Sequence, residues 1–439
     1  MQQSSKGLII AAPSSGSGKT TLTLALLRHF RNNMERVSPV KVGPDYIDPA
    51  YHAAAAGRPC YNLDPWALRA ESLAALVALA GRDAEVILAE GVMGLFDGAV
   101  GGAGSTAALA KKTGWPVVLV IDVKGMSASA AAVLHGFASF DPELDIAGVI
   151  FNRVGSPRHA ALLDEACRPL GIPVLGHLRR QDEMVLPNRH LGLVQAVEHS
   201  ELDGFLNHAA EQVAWDVDCR ALLDLARPSR LAVREMGTLV PPIGQRIAVA
   251  SDVAFSFCYS ALLEGWRQSG AELTFFSPLE DQRPATNADA IYLPGGYPEL
   301  HVGQLGANQN FMGALRTAAE KKTTIFGECG GYMVLGQGLI DGRGDHHAMA
   351  GLLPVETSFA VRKCSLGYRV VRNLVESPLG LTGQGFAAHE FHYSTVVRGE
   401  GEQPLFQVED AGGKDLGTAG CRLGSVLGSY IHLIDRLPE

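Results

Sequence analysis

Short apolar runs alternate with helical periodicity along the first half of the chain. Leu8, Ile9, Ile10, Ala11 and Ala12 form the first run. It breaks into small turn-forming residues, and apolar positions return at Leu22, Leu24, Leu26 and Leu27. This pattern predicts a buried strand, a tight loop and an amphipathic helix. Further runs at Ser38–Val42, Val86–Ala89, Val117–Ile121, Ala147–Phe151 and Val174–Leu175 predict more strands. Strands without alternation, separated by amphipathic helices, are buried on both faces and belong to a parallel sheet of an α/β fold. Proline, glycine and polar residues then concentrate before Arg246, which predicts a linker over 229–245 between domains at 1–228 and 246–439. After it, Arg246–Ala250 opens a new strand, and a second α/β pattern follows.

Composition narrows the classes. The chain has 439 residues, 47% hydrophobic and 19% charged, which describes a folded protein of two or three domains. A net charge of −9 leaves no basic surplus to neutralise phosphates, so nucleic acid is not the expected partner. Seven cysteines without paired spacing disfavour a disulfide framework. No apolar stretch reaches the roughly 18 residues of a membrane helix, and the first strand begins too early for a signal peptide. A cytoplasmic protein without a membrane partner is expected.

In an open parallel sheet, ligands sit at the carboxyl ends of the strands, so those positions carry the candidate chemistry. After the first strand, Ser15, Gly16, Ser17, Gly18, Lys19, Thr20 and Thr21 form a candidate ATP-binding loop. Backbone N–H groups and a helix N-terminus cradle phosphates there, Lys19 adds positive charge, and Thr20 offers a hydroxyl to Mg²⁺. Pro13 stands where the first glycine of the usual motif belongs. The second strand delivers Lys41, Asp45 and Asp48 beside a Gly-Pro turn, and the third delivers Glu90 and then Asp97 in a glycine-rich loop. Nucleotide-bound Mg²⁺ takes one or two carboxylates, which makes Thr20, Asp45 and Glu90 the candidate metal set. Asp97 is better placed for substrate. Asp122 fits either a metal-organising acid or a strand-end cap. Asn152, at another strand end, has an amide able to read an adenine edge. Arg189 and His190 lie in a turn where a structural role and a ligand contact weigh equally.

In the second half, a strand runs into Gly295-Gly296, and the segment GECGGYM centres on Cys329. Glycines around a nucleophile permit a sharp strand-to-helix turn that lifts it to a helix N-terminus, where a thiol is expected to have a depressed pKa. N–H groups near Gly295, Gly296 and Gly330 are candidate oxyanion donors. A thiolate nucleophile requires a histidine, and His389, His392 and His432 are the candidates between which spacing does not choose. His346 and His347, in a glycine- and aspartate-rich loop, are expected to be solvated.

Eight stretches in this order carry a specific resemblance: APSSGSGKTT, KVGPDYIDP, EGVMGLFDG, NRHLGL, LPGGYPEL, GECGGYM, HEFHYS and SYIHL. The chain resembles, over nearly its whole length, the cobyrinate or hydrogenobyrinate a,c-diamide synthases of cobalamin biosynthesis. The resemblance implies a P-loop synthetase domain like that of dethiobiotin synthetase, whose longer loop spacing removes the Pro13 objection. It also implies a class I glutamine amidotransferase domain with Cys329 as nucleophile and His432 as general base. Where the usual third member of that triad belongs, this chain has Ile434, and Tyr259 to Leu263 departs from the usual Tyr-x-x-Asn-Leu. The implied reaction amidates the a and c carboxylates of a corrinoid with ATP, Mg²⁺ and L-glutamine, through an acyl phosphate. Tyr46, Asp48 and Asp97 then become candidate substrate residues, and the family allows a homodimer. Cobyric acid synthase and nickel-sirohydrochlorin diamide synthase share the same plan. A regulatory P-loop ATPase with an inert second domain is the reading from another class, and it leaves the Cys329 turn unexplained.

Overall fold

The computed structural model describes residues 5–179, 188–189, 192–399 and 403–438. The chain divides between Glu235 and Met236 into two units, inside the proline- and glycine-rich stretch.

The first unit is built on seven parallel strands. They are β1 (Lys6–Ala11), β2 (Val37–Val42), β3 (Tyr61–Leu63), β4 (Val86–Glu90), β5 (Val117–Asp122), β6 (Ile146–Val154) and β7 (Val174–Arg179). Their order is β3-β2-β4-β1-β5-β6-β7, and Arg227–Pro228 adds a short antiparallel strand beside β1. Five of the six residues of β1, and all of β2 and β4, are buried. Complete burial of these strands is the reason their sequences read as continuous apolar runs rather than alternating ones. The helix α1 (Lys19–Asn32) follows β1 and presses Leu22, Leu26 and Phe30 into the core. Its own first turn holds no acidic side chain, and its last turn holds His29 and Arg31, which favour the negative end of its dipole. The helix α2 (Asp48–Ala56) follows β2 and ends at Gly57, whose left-handed backbone closes it.

Because β2 and β1 both flank β4, Lys41 stands in register with Glu90, as does Ile10. This adjacency brings the ends of three strands to one place. Arg189 pairs through its backbone with Gly192 in a short hairpin, and His190 lies outside the described residues.

The second unit holds a six-stranded sheet in the order Glu272–Phe276, Arg246–Ala250, Ala290–Leu293, Thr324–Glu328, Val426–Ser429, Cys421–Leu423. The first five strands run parallel and the last is antiparallel. A second, antiparallel sheet contains Gly385–His392 paired with Ile431–Arg436. His346, exposed as expected, and His347, half-buried, belong to a short strand and meet Glu356 at 3.1 Å and Asp341 at 3.2 Å. Among the described residues no helix is long and apolar enough to cross a membrane.

Candidate active sites

The loop after β1 is shaped by Gly16 and Gly18, with φ of 77° and 94°. Only glycine takes these values without strain, and it lets backbone N–H groups face a ligand. Gly18 also has no room for a side chain, since a Cβ there would lie 2.2 Å from Asn152 Nδ2. That amide donates to Ser17 O at 2.8 Å, while its oxygen accepts the Arg153 N–H at 2.8 Å. Asn152 therefore braces the loop from β6, and both ends of the amide expected to read a base already bond to protein. Ser15 and Gly16 are exposed, Ser17 is buried, and Thr21 is half-buried.

Lys19 Nζ donates to Met93 O at 2.6 Å and to Ser14 O at 3.2 Å. Burial pulls its pKa down to about 8, with Glu90 opposing. Thr20 Oγ1 donates to Glu90 Oε1 at 2.6 Å, and Lys41 Nζ donates to the same oxygen at 2.9 Å and to Asp48 Oδ2 at 2.6 Å. The other Glu90 oxygen meets His52 Nε2 at 2.5 Å. Burial alone would raise the Glu90 carboxyl, but Lys41, His52 and Thr20 outweigh it and hold it well below the usual carboxylate range. Burial alone would lower Lys41, yet Asp48, Glu90 and Asp45 keep it firmly charged. Asp48 is pushed up to about 6 by burial and then by Asp45.

Asp45 uses Oδ1 to accept the Ile47 and Asp48 N–H groups at 2.9 and 3.0 Å, and its Oδ2 is 3.9 Å from Lys41 Nζ. Tyr46 beside it is half-buried. Asp97 is exposed and accepts the Gly94 N–H at 3.0 Å, in position to meet a solute. Asp122 accepts the Lys124 N–H at 2.9 Å and pairs with Arg153, which makes it a strand-end cap. Among the described residues no three His, Cys, Asp or Glu side chains form a metal cage. The adjoining Thr20 hydroxyl and Glu90 carboxylate supply the hard oxygen donors that nucleotide-bound Mg²⁺ takes, so the donor set fits that ion.

In the second unit Cys329 stands between the Thr324–Glu328 strand and the Gly330–Leu335 helix, with φ 49° and ψ −104°. A non-glycine residue in that region is strained by about 1–3 kcal/mol, a cost held in place by its surroundings. Its N–H donates to Ser429 O at 2.8 Å on the neighbouring strand. The helix sits so close to the sheet that a Cβ at Gly331 would lie 2.0 Å from Leu293 O. Gly295, Gly296 and Gly330 gather around the thiol. A Cβ at Gly295 would lie 3.1 Å from Cys329 Cβ and 2.6 Å from His432 Cε1, and one at Gly330 would lie 3.1 Å from Gly296 N. The Cys329 and His432 side chains therefore flank the same glycine.

The expected depressed thiol pKa is not found here. Burial pushes the Cys329 thiol up, Glu299 adds to this, and a backbone hydrogen bond from Gly330 opposes it only in part. Burial, followed by His389 and His392, pulls His432 down to about 3. The pair rests as thiol and neutral imidazole because dry surroundings disfavour both charged forms. His389 faces His432 in register across the antiparallel strands. His392 is committed elsewhere: its ring bonds to Ser394 O at 2.9 Å and Glu390 at 2.8 Å, and stacks on Tyr430 at 3.8 Å. A cavity of about 270 Å³ beside His392 is lined by Tyr332, Lys363, Glu390, Ser394, Tyr430 and others.

Three functional-site neighbours escaped the sequence reading. His52 lies one helical turn after Asp48 on α2, an i, i+4 spacing that could have revealed it. Glu328 is a buried acid in an apolar strand directly before the nucleophile, and Tyr292 donates to it at 2.5 Å.

Residues 8–194 match the model of the CobQ/CobB/MinD/ParA nucleotide binding domain, and residues 246–436 match that of the CobB/CobQ-like glutamine amidotransferase domain. A hydrogenobyrinate a,c-diamide synthase of Brucella abortus biovar 1 (strain 9-941) is 54% identical over 432 residues, 98% of either chain. That of Rhizobium meliloti (strain 1021) is 53% identical over 429 residues, covering 98% of this chain and 99% of its own. That of Agrobacterium fabrum is 46% identical over 432 residues, 98% of either chain.

Proposed function

The chain belongs to the hydrogenobyrinate a,c-diamide synthase family and is a glutamine-dependent amidating enzyme; from that premise we propose how its residues divide the reaction. The substrate is hydrogenobyrinate, as in the names of its relatives, with ATP and L-glutamine as co-substrates. Residues 1–228 form the synthetase part, 229–245 the linker and 246–439 the glutaminase part.

Glutamine enters at Cys329. The cavity beside His392 presents Lys363, a positive charge for the carboxylate end of an amino acid. His432 Nε2 takes the thiol proton as sulfur attacks the carboxamide carbon, and N–H groups around Gly295, Gly296 and Gly330 hold the oxyanion. Proton transfer within the encounter replaces a standing thiolate, which agrees with the neutral resting pair. The proton leaves on ammonia, and water then releases glutamate.

In the first unit Ser15 to Thr21 cradle the ATP phosphates. Lys19 and Lys41 balance charge on the transferring phosphoryl group, which passes to a substrate carboxylate to give an acyl phosphate. Thr20 and Glu90, with Asp45 nearby, would hold Mg²⁺, which when bound neutralises phosphate charge. Tyr46, Asp48 and Asp97 orient the carboxylates to be amidated. Ammonia displaces phosphate, and two rounds give the a,c-diamide.

The observation that carries this reading is the Cys329 turn, strained at φ 49° and flanked by His432 at Gly295. Purified chain given hydrogenobyrinic acid, ATP, Mg²⁺ and glutamine is expected to release glutamate and yield a diamide by mass spectrometry. Glutamate release without amidation of the corrinoid, or neither, would overturn it.

A further inference from the structure

We infer that Glu328 is the positioning residue of His432, supplying the carboxylate that the chain lacks two residues further on, at Ile434. The inference rests on the glutaminase reading of Cys329.

Glu328 is buried at the end of its strand, where Ile325 and Phe326 show what the packing otherwise favours. A buried acid there is costly unless it has partners and a task. Its partners fix both oxygens. Oε1 accepts the Leu433 N–H at 3.0 Å, and Oε2 accepts the Tyr292 hydroxyl at 2.5 Å. Leu433 follows His432, so the carboxylate is tied to the strand that carries the imidazole. Oε2 also stands 3.9 Å from His432 Nδ1. The Cε1–Nε2 edge of the ring faces Gly295, whose other side faces Cys329. Histidine thus lies between nucleophile and carboxylate, the arrangement a triad requires, although Glu328 comes from the residue adjoining the nucleophile.

The chemistry follows from that order. With the imidazole proton held on Nδ1 toward Glu328, Nε2 is left as the acceptor. When Nε2 takes the Cys329 proton and the S–C bond forms, the imidazolium lies beside a carboxylate instead of hydrocarbon. At 3.9 Å the two groups stand just beyond hydrogen-bond reach in the resting chain, and such contacts can tighten when charge develops. Burial has already raised Glu328 to about 7, with the Leu433 N–H and Tyr292 opposing, so an approaching cation favours its ionised form.

Glu328→Gln in the full-length chain tests this, since the amide keeps the size and an acceptor for Leu433. The kcat for glutamate release is expected to fall at least roughly 10-fold, toward the loss of about 10⁴ seen when a triad carboxylate behind a general-base histidine becomes an amide. KM for glutamine and amidation driven by ammonium salts should stay near wild type. Adding Ile434→Glu to that variant should restore part of the kcat. Wild-type kcat in Glu328→Gln, or equal loss of the ammonium-driven reaction, would overturn the inference. Should that variant not fold, Glu328→Asp carries the test, with reduced kcat expected and unchanged kcat overturning it. A wild-type chain that releases no glutamate would instead overturn the glutaminase reading.

Discussion

Lys41 Nζ and Glu90 Oε1 meet at 2.9 Å across two adjacent strands, and both side chains are almost wholly buried. The pair sits under the phosphate-binding loop because β2 and β4 are register neighbours. Its rigidity comes from further bonds, of Thr20 and His52 to the Glu90 oxygens and of Lys41 to Asp48. Removing one member of a buried ion pair strands the other, at about 3–5 kcal/mol.

Glu90→Gln should therefore lower unfolding stability by about that amount at neutral pH, read from urea titration. The Glu90 carboxyl is depressed in the folded chain, so its contribution is present above the unfolded value of about 4.3 and fades as pH falls below it. The difference from wild type should shrink on acidification. A difference that grows in acid would contradict the assignment.

Lys19 is held near 8 by burial. Phosphate favours its charged form, so ATP binding should take up protons around pH 8 and strengthen as pH falls from there toward neutrality. Calorimetry in buffers of different ionisation enthalpy measures the uptake. Lys19→Arg, charged throughout, should abolish it, and Lys19→Ala should abolish ATP-dependent product.

Cys329→Ser should end glutamine-dependent amidation and spare the reaction driven by high ammonium salt. Loss of both would refute the division of labour between the two units. Because burial raises the thiol, iodoacetamide should modify Cys329 slowly at neutral pH and faster as pH rises.

Asp97→Asn should impair amidation more than ATP binding, since Asp97 is exposed and its contact is with the Gly94 N–H of its own loop. Equal loss of both, measured by product formation and nucleotide titration, would point to a role at the metal.

Gly18→Ala should weaken ATP binding and lower stability, since it forces a left-handed residue at about 1–2 kcal/mol and displaces Asn152. Nucleotide affinity unchanged in that variant would show that the contact of Asn152 with the loop does not shape the nucleotide site.

What the sequence determined was local and periodic. Continuous apolar runs such as Leu8–Ala12 could only be buried parallel strands, and glycines at 16, 18, 330 and 331 could only mark turns and close approaches. The ordered motifs went further and named a family. What only the tertiary structure decided was which side chains from distant segments share a charge environment. Asn152 turned inward to brace Ser17, and Asp122 became a cap because Arg153 lay within reach. The Cys329 thiol rose instead of falling, because burial outweighs one backbone N–H, and burial depends on packing that no local pattern records. Glu328 could not be placed beside His432 from sequence, since 104 positions of chain separate them and it is the pairing of Glu328 with Ser429 that brings His432 near.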